Sequence, residues 1–359
     1  MAALRVGLIG LGGISGAHLA AYTDFADKLQ VTAVCDPVPE RVAAYRERFP
    51  HASAHADYHE LLARSDVDCV DCCLPHALHY PVAKAALEAG KHVLVEKPFV
   101  NTYAQARDLV EIANRKQRIV MVAQHQRYQA VHRAVREHIV RGDYGRVHQL
   151  RIDAIQNLHD YYTAPHWLYR GDMAGGGAVI SVLVHKIDLL RYWLTESYGE
   201  ATEVVAWGRT HDPDFHAAED TAVGLIRFGD GPLVEWMATY TASGVPYCES
   251  VWLFAERAML YGLPPERQYA TSKLRIGWRK DGKSAEQFEE LTYDGNAFGL
   301  PTRDPMVNEI LHFAECIEQQ REPLSSGRDN LGTMAIIDGI HRSMREGGRS
   351  IYLQHDSVL

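Results

Sequence analysis

Over the first 123 residues, short apolar runs alternate with amphipathic stretches, and this alternation restricts the fold more than anything else in the chain. Runs at 4–9, 31–35, 67–74, 92–95 and 119–123 have the length and β-branched content of buried strands. Helical patterns lie between them near 14–26, 40–49, 82–89 and 102–115, and Gly90 supplies a helix stop. Strands separated by whole helices cannot pair as hairpins, so they wind into a parallel sheet with helices on both faces.

The first strand-to-helix junction reads Gly10-Leu11-Gly12-Gly13-Ile14-Ser15-Gly16. Gly10 suits the tight turn, and Gly12 lets the backbone approach a pyrophosphate at the helix N-terminus, where free N–H groups and the helix dipole favour an anion. Ser15 holds the third fingerprint position as a small substitute for glycine. The expected ligand is a dinucleotide. Asp36 closes the second strand, where a carboxylate accepts hydrogen bonds from the adenosine ribose hydroxyls and repels a 2′-phosphate. That favours NAD, while the nearby Arg41 leaves NADP admissible. The competing reading is a simple turn cap, because Asp-Pro steps such as Asp36-Pro37 initiate turns.

Glu96-Lys97-Pro98 follows the strand at 92–95. Ligands of open α/β sheets bind outside the carboxyl ends of the strands, so Lys97 is positioned to face the cofactor crevice and serve a hydride transfer. A solvated strand-end lysine is the plain alternative. Beyond residue 123 the pattern changes to a helix at 131–141, a turn at 142–145, and strands at 203–209, 221–228, 233–241 and 249–256, with Gly229-Asp230-Gly231 as a hairpin turn. Amphipathic helices at 306–320 and 330–345 close the chain. A length of 359 residues accommodates two domains, 1–123 and 124–359. An open sheet with one apolar face is commonly covered by another subunit, so a homodimer or homotetramer is expected.

In the second domain, Gly175-Gly176-Gly177 leads into an apolar helix carrying Ser181 and His185, four residues apart and on one face. Asp188, three residues further on, either orients that histidine or is structural. The segment 157–170 offers donors and flat aromatic surfaces, including His159, Tyr161, His166 and Trp167, which suit a polyhydroxylated ligand; an interdomain loop would look similar.

The net charge of −9 gives no basic footprint for nucleic acid, and an apolar share of 47% with 23% charged residues is that of an ordinary globular protein. The chain is expected to enter a strand directly after Met1-Ala2-Ala3, without a leader, which makes the cytoplasm the expected compartment and the membrane an unlikely partner on composition. Of six cysteines, Cys69, Cys72 and Cys73 fall in one strand run and read as buried thiols. His51, His55 and His59 lie around a short strand rather than on one helix turn, and His211, His216, Asp212, Asp214, Glu219 and Asp220 read as solvated loop residues; no metal is expected.

Together, the glycine turn with His18, the Asp36 strand end, Pro75 with His79, Glu96-Lys97-Pro98 and the Gly175 to Asp188 segment resemble the Gfo/Idh/MocA oxidoreductases along nearly the whole chain. The resemblance implies an N-terminal Rossmann domain, that is, a doubly wound parallel sheet, and a C-terminal α/β domain with a large, mostly antiparallel open sheet. It also implies NAD(P)-dependent oxidation of sugars, polyols or related hydroxyl compounds, with Lys97 as catalytic lysine and His185 as acid/base. The candidate cofactor residues are Gly10, Gly12, Gly13, Ile14, Asp36, Pro75, His79, Glu96, Lys97 and Gln124. The candidate substrate residues are Lys97, Arg127, His159, Tyr161, His166, Trp167, Ser181 and His185. Many family members carry aspartate where this chain has Ser181, so the lysine, aspartate and histidine set is incomplete here. Two other classes fit the same residues: a hydrolase or lyase using tightly bound NAD for transient oxidation, and a cofactor-sensing regulator without turnover.

Overall fold

A computed structural model describes residues 3–244, 247–263 and 273–354; Met1 and Ala2, where direct entry into a strand is expected, lie outside them. The chain forms two compact units, Met1–His125 with Asp304–Leu331 and Gln126–Arg303 with Gly332–Leu359.

The first unit holds β1 (Leu4–Ile9), α1 (Gly13–Asp24), β2 (Leu29–Cys35), α2 (Pro39–Arg48), β3 (Ser53–His55), α3 (Tyr58–Leu62), β4 (Cys69–Cys72), α4 (His76–Glu88), β5 (His92–Glu96), α5 (Tyr103–Lys116) and β6 (Val120–Ala123). The strands pair in parallel in the order β3-β2-β1-β4-β5-β6. The chain winds outward from β1 and then returns to its other side at β4, which opens a crevice at the carboxyl ends of those two strands. Val70, Val93, Leu94 and Val95 are fully buried, which is why these strands read as continuous apolar runs. α4 begins at His76, six residues before its apolar periodicity starts, and continues through Pro81. Proline removes an intrahelical hydrogen bond, so the periodic pattern becomes legible only after it.

The second unit contains α6 (Ala130–Val140), β7 (Val147–Ile155), α7 (Gly171–Ala174), α8 (Val184–Tyr198), β8 (Ala201–Arg209), β9 (Thr221–Phe228), β10 (Leu233–Thr239), β11 (Cys248–Ala255), β12 (Ala258–Leu263), β13 (Lys273–Trp278) and β14 (Glu289–Leu291). After these come α9 (Pro305–Gln319), which belongs to the first unit, then α10 (Gly327–Arg345) and β15 (Ile351–Tyr352). Nine strands run β14-β13-β12-β11-β7-β10-β9-β8-β15, all antiparallel except the β7–β10 pair. Burial alternates strictly along β9, with α8 packed on the buried face. The other face exposes Trp207, Val223, Leu225, Leu233 and Phe254. Gly171–Tyr198 is long and apolar enough to cross a membrane, and 83% of its most apolar window is buried inside the protein, as a core helix requires.

The units do not follow a single cut at 123, because 304–331 returns to the first. α9 packs on α1, β5 and β6 through its apolar face. Just after it, Val122 N–H donates to Ser325 O at 2.9 Å and Ser325 Oγ donates to Val122 O at 2.8 Å, covering the edge of β6.

Candidate functional site

The glycine turn divides its glycines by task. Gly10 has φ +86°, and a Cβ there would lie 2.3 Å from Cys73 O, so this position serves the close approach of two strand ends. At Gly12 and Gly13 a Cβ would meet nothing within 4 Å, and α1 starts from Gly12 without a side-chain cap. An uncapped helix start beside open space fits a pyrophosphate. Ile14 stands in the first turn of α1. Ser15 suits the third fingerprint position because its hydroxyl donates to Gly12 O at 2.8 Å and meets Tyr45 Oη at 2.6 Å. Asp36 is buried, accepting from Leu11 N–H at 2.8 Å and Val38 N–H at 2.9 Å, with Arg41 Nη1 at 3.5 Å. The carboxylate therefore caps its own turn and also holds the glycine loop.

Lys97 is half-buried at the end of β5, and its N–H donates to Glu96 Oε2 at 2.9 Å. Glu96 Oε1 lies 3.2 Å from His18 Nε2, while His18 Nδ1 is 2.8 Å from Asp71 Oδ2, which also accepts from Tyr22 Oη at 2.8 Å. Sequence reasoning took His18 as part of a motif and gave Asp71 and Tyr22 no role, since contacts 49 and 53 residues apart leave no local signal. Burial works to raise the Glu96 carboxyl, but the hydrogen bond and charge of His18, then Lys97 and His125, hold it below the usual range.

Three side chains of the expected site have partners within the fold. His79, expected at the cofactor, is fully buried, with Nδ1 2.7 Å from Pro98 O and Nε2 2.9 Å from Leu74 O. Burial lowers its pKa, and the ring clasps the loops after β4 and β5 instead of presenting a nitrogen to a ligand. Pro75 sets the start of α4 beside it. Gln124 is buried and donates to Asn330 Oδ1 at 3.2 Å. Arg127, expected at the substrate, forms a buried two-pronged pair with Asp188, both contacts at 2.6 Å. Asp188 therefore serves Arg127, and also Thr333 Oγ1 at 3.3 Å.

In the second unit a π-helical turn, Val179–Leu183, runs directly into α8. It carries Ser181, near the Tyr240 phenol; His185 follows at the start of α8, and both are buried. Such turns insert a residue into a helix and re-aim the side chains around it. Lys186, overlooked in the sequence, pairs with Glu249 at 2.9 Å and donates to Gln126 Oε1 at 3.1 Å, both charged groups being buried. Burial works to raise Glu249, but the charge and hydrogen bond of Lys186, with Tyr247 and Gln126, hold it low.

Along 157–170, Tyr161 is exposed and Trp167 half-buried, while His166 stacks on Tyr162 at 4.2 Å and is lowered in pKa by burial. His159 Nε2 lies 2.6 Å from Asp212 Oδ2 and Nδ1 is 3.1 Å from Tyr169 Oη. The expectation of solvated residues near 211–220 fails for Asp220, fully buried and accepting from His211 and Asp212 N–H, and for Glu219, which accepts from Gly177 and Val179 N–H. These carboxylates satisfy loop and helix-start donors that would otherwise be buried unpaired. Metal-type donors converge at His18, Asp71 and Cys73 and at His159, Asp212 and Asp214. In each group the closest histidine–carboxylate contact is a hydrogen bond, shorter than the roughly 3.3 Å between donors on a tetrahedral zinc ion.

Residues 4–124 match a family profile described as an oxidoreductase family with an NAD-binding Rossmann fold, and 132–261 match the GFO/IDH/MocA C-terminal domain. Among curated proteins, the myo-inositol 2-dehydrogenase of Thermotoga maritima is 29% identical over 98% of this chain and 99% of its own. The 1,5-anhydro-D-fructose reductase of Ensifer adhaerens is 32% identical over 59% of this chain, and the levoglucosan dehydrogenase of Pseudarthrobacter phenanthrenivorans 31% identical over 64%. For these last two, the match spans only 62% and 60% of the relative's length. A solved levoglucosan dehydrogenase in complex with NADH superposes with a TM-score of 0.86 at 23% identity, covering 98% of this chain and 99% of that one, a likeness of fold. With both halves matched and the dinucleotide turn built as its fingerprint requires, the chain belongs to the Gfo/Idh/MocA family of oxidoreductases, with an NAD-binding Rossmann fold at its N-terminal end.

Proposed function

We propose that the protein is an NAD-dependent dehydrogenase that oxidises a secondary hydroxyl of a sugar, cyclic polyol or sugar derivative. The observation that carries the reading is the uncapped, open start of α1 in the same unit as the buried Glu96 that anchors Lys97. Relatives named as sugar and inositol dehydrogenases support the substrate class.

Gly12, Gly13 and the first N–H groups of α1 hold the pyrophosphate, and Asp36 turns toward the adenosine ribose. Bound NAD supplies the hydride acceptor. His185 takes the hydroxyl proton, and the Lys97 ammonium steadies the developing alkoxide. Ser181, near Tyr240, shapes the pocket where relatives carry a carboxylate. Tyr161, His166 and Trp167 offer flat faces to a polyhydroxylated ring. The exposed apolar row on the nine-stranded sheet supports a homodimer or homotetramer, and six free cysteines are in keeping with a cytoplasmic enzyme.

The test is NADH formation, read at about 340 nm, from inositols, inosamines, aldoses and glycosides with NAD and with NADP. At least one substrate is expected to give stoichiometric NADH. Lys97→Met is expected to bind NAD as before and lose about 10²- to 10⁴-fold in turnover. Substrate consumption without NADH accumulation replaces this reading with transient oxidation, and near wild-type turnover of Lys97→Met removes the lysine from it.

A further inference from the structure

We propose that His18 is a positioning residue, clamped between Asp71 and Glu96 so that the Glu96 carboxylate stays fixed on the Lys97 backbone and sets where the lysine leaves β5. The inference rests on the assignment of Lys97 above. Nothing in the hydride chemistry itself requires a histidine in α1, yet this one is 1% exposed and bridges two strand ends. Both its ring nitrogens lie against carboxylate oxygens, at 2.8 Å and 3.2 Å. A neutral imidazole carries one N–H and can donate only once, so satisfying both contacts with both carboxyls ionised requires the cation. The connection runs from Lys97 N–H to Glu96, from Glu96 to His18, from His18 to Asp71 and from Asp71 to the Tyr22 hydroxyl.

The surroundings favour this charge state. The titratable groups facing His18 are Tyr22 of its own helix, Tyr45 of α2, Asp71 and Cys73 at the end of β4, Glu96 of β5 and Glu309 of α9, with Lys97 and His125 acting on Glu96. Burial works to lower the imidazole, and the Asp71 carboxylate, 2.8 Å from Nδ1, works by charge and hydrogen bond to raise it. Cys73 is itself pushed up to about 12, by burial first and then by Asp71, so near neutral pH it is a thiol and Asp71 is the anion that retains the cation. Burial pushes Glu309 toward the neutral acid, which does not compete for it. One cation thus lies between two anions in a site closed to water. Without it, two buried carboxylates remain, and proton uptake by Glu96 replaces the ionised acceptor of Lys97 N–H with a weaker one.

The experiment compares wild type, His18→Gln, Glu96→Gln and the double variant on a substrate found in the screen above. For His18→Gln the expected result is an NADH affinity, by fluorescence titration, within about threefold of wild type, and kcat about 10- to 100-fold lower with KM little changed. The acid limb of its kcat profile is expected to move up by more than about one pH unit, because Glu96 now protonates in the working range. The double variant is expected to be no slower than Glu96→Gln alone, since both changes break one connection. Apart from activity, nitrogen-15 spectra of histidine side chains in the unliganded wild type are expected to show one ring protonated on both nitrogens through neutral pH, a signal missing in His18→Gln. A neutral His18 ring in the wild type overturns the proposal even if the variant fails to fold. So does a folded His18→Gln that loses stability while its acid limb stays in place, which marks a merely structural residue. A wild type inactive on every substrate defeats the dehydrogenase reading instead. An active wild type with inactive Lys97→Met and unimpaired His18→Gln defeats this inference alone.

Discussion

Removing Arg127 separates two roles for that residue, because a buried ion pair and a substrate ligand respond to mutation in opposite ways. Arg127 and Asp188 are each about 2% exposed, and their two contacts of 2.6 Å exclude water from both groups. Arg127→Met retains most of the side-chain packing but takes the two-pronged cationic partner away from the buried Asp188, while Thr333 Oγ1 stays at 3.3 Å. Breaking such a pair from one side costs about 3–5 kcal/mol. For a unit of roughly 200 residues, with about 2–4 °C of melting temperature per kcal/mol, the fall should be about 6–20 °C. Replacing both partners, as in Arg127→Met with Asp188→Leu, removes the stranded charge and should recover most of the loss. The assay is thermal unfolding by circular dichroism without ligand, followed by KM for an active sugar, which in the double variant should stay within about threefold of wild type. An Arg127→Met variant that melts like wild type and shows a strongly raised KM refutes this reasoning and restores Arg127 to the substrate wall.

The glycine turn should divide in the same manner. Gly10→Ala forces a Cβ to within 2.3 Å of Cys73 O at a left-handed φ, and should lower the melting temperature by more than about 5 °C. Gly12→Ala meets no protein atom, so it should melt within about 2 °C of wild type while weakening NAD binding at least about tenfold; unchanged NAD titrations would argue against the pyrophosphate reading. Burial raises the Glu309 carboxyl well above its ordinary value, so the unfolded chain releases this proton at a lower pH than the folded one does. Native stability is then lost as pH rises above the unfolded value, by up to about 1.4 kcal/mol per pH unit until the folded group also ionises. Glu309→Gln abolishes that loss, and its melting-temperature advantage should widen as pH rises above the ordinary carboxyl range; a constant gap means Glu309 is ionised in the native protein.

The parallel sheet and its glycine turn were legible in the sequence because their causes are local. Doubly buried strands are continuous apolar runs, and the turn needs glycine for Gly10's backbone and for the open space at Gly12. β9 and β10 were equally plain, as their alternation follows from one buried face. The pairing of Arg127 with Asp188 was not legible because two residues 61 apart have no periodicity, and a lone arginine near a candidate pocket resembles a ligand for substrate. The partners of His79 were hidden for a related reason: they are backbone carbonyls, which every residue has. The extension of α4 back to His76 was hidden by Pro81, and the place of α9 depended on which apolar surface it would cover.

The return of 304–331 to the first unit also bears on the order in which the protein can be completed during synthesis. The dinucleotide sheet is made before the helix that covers α1 and before the serine that seals the edge of β6, which lies 203 residues beyond its partner Val122. Until then the nascent sheet presents an apolar helix surface and an unpaired strand edge, features that invite association with other chains. The part of the protein that starts folding first is thus among the last to close, and a fragment ending at residue 123 should be prone to aggregate for want of a segment encoded far downstream.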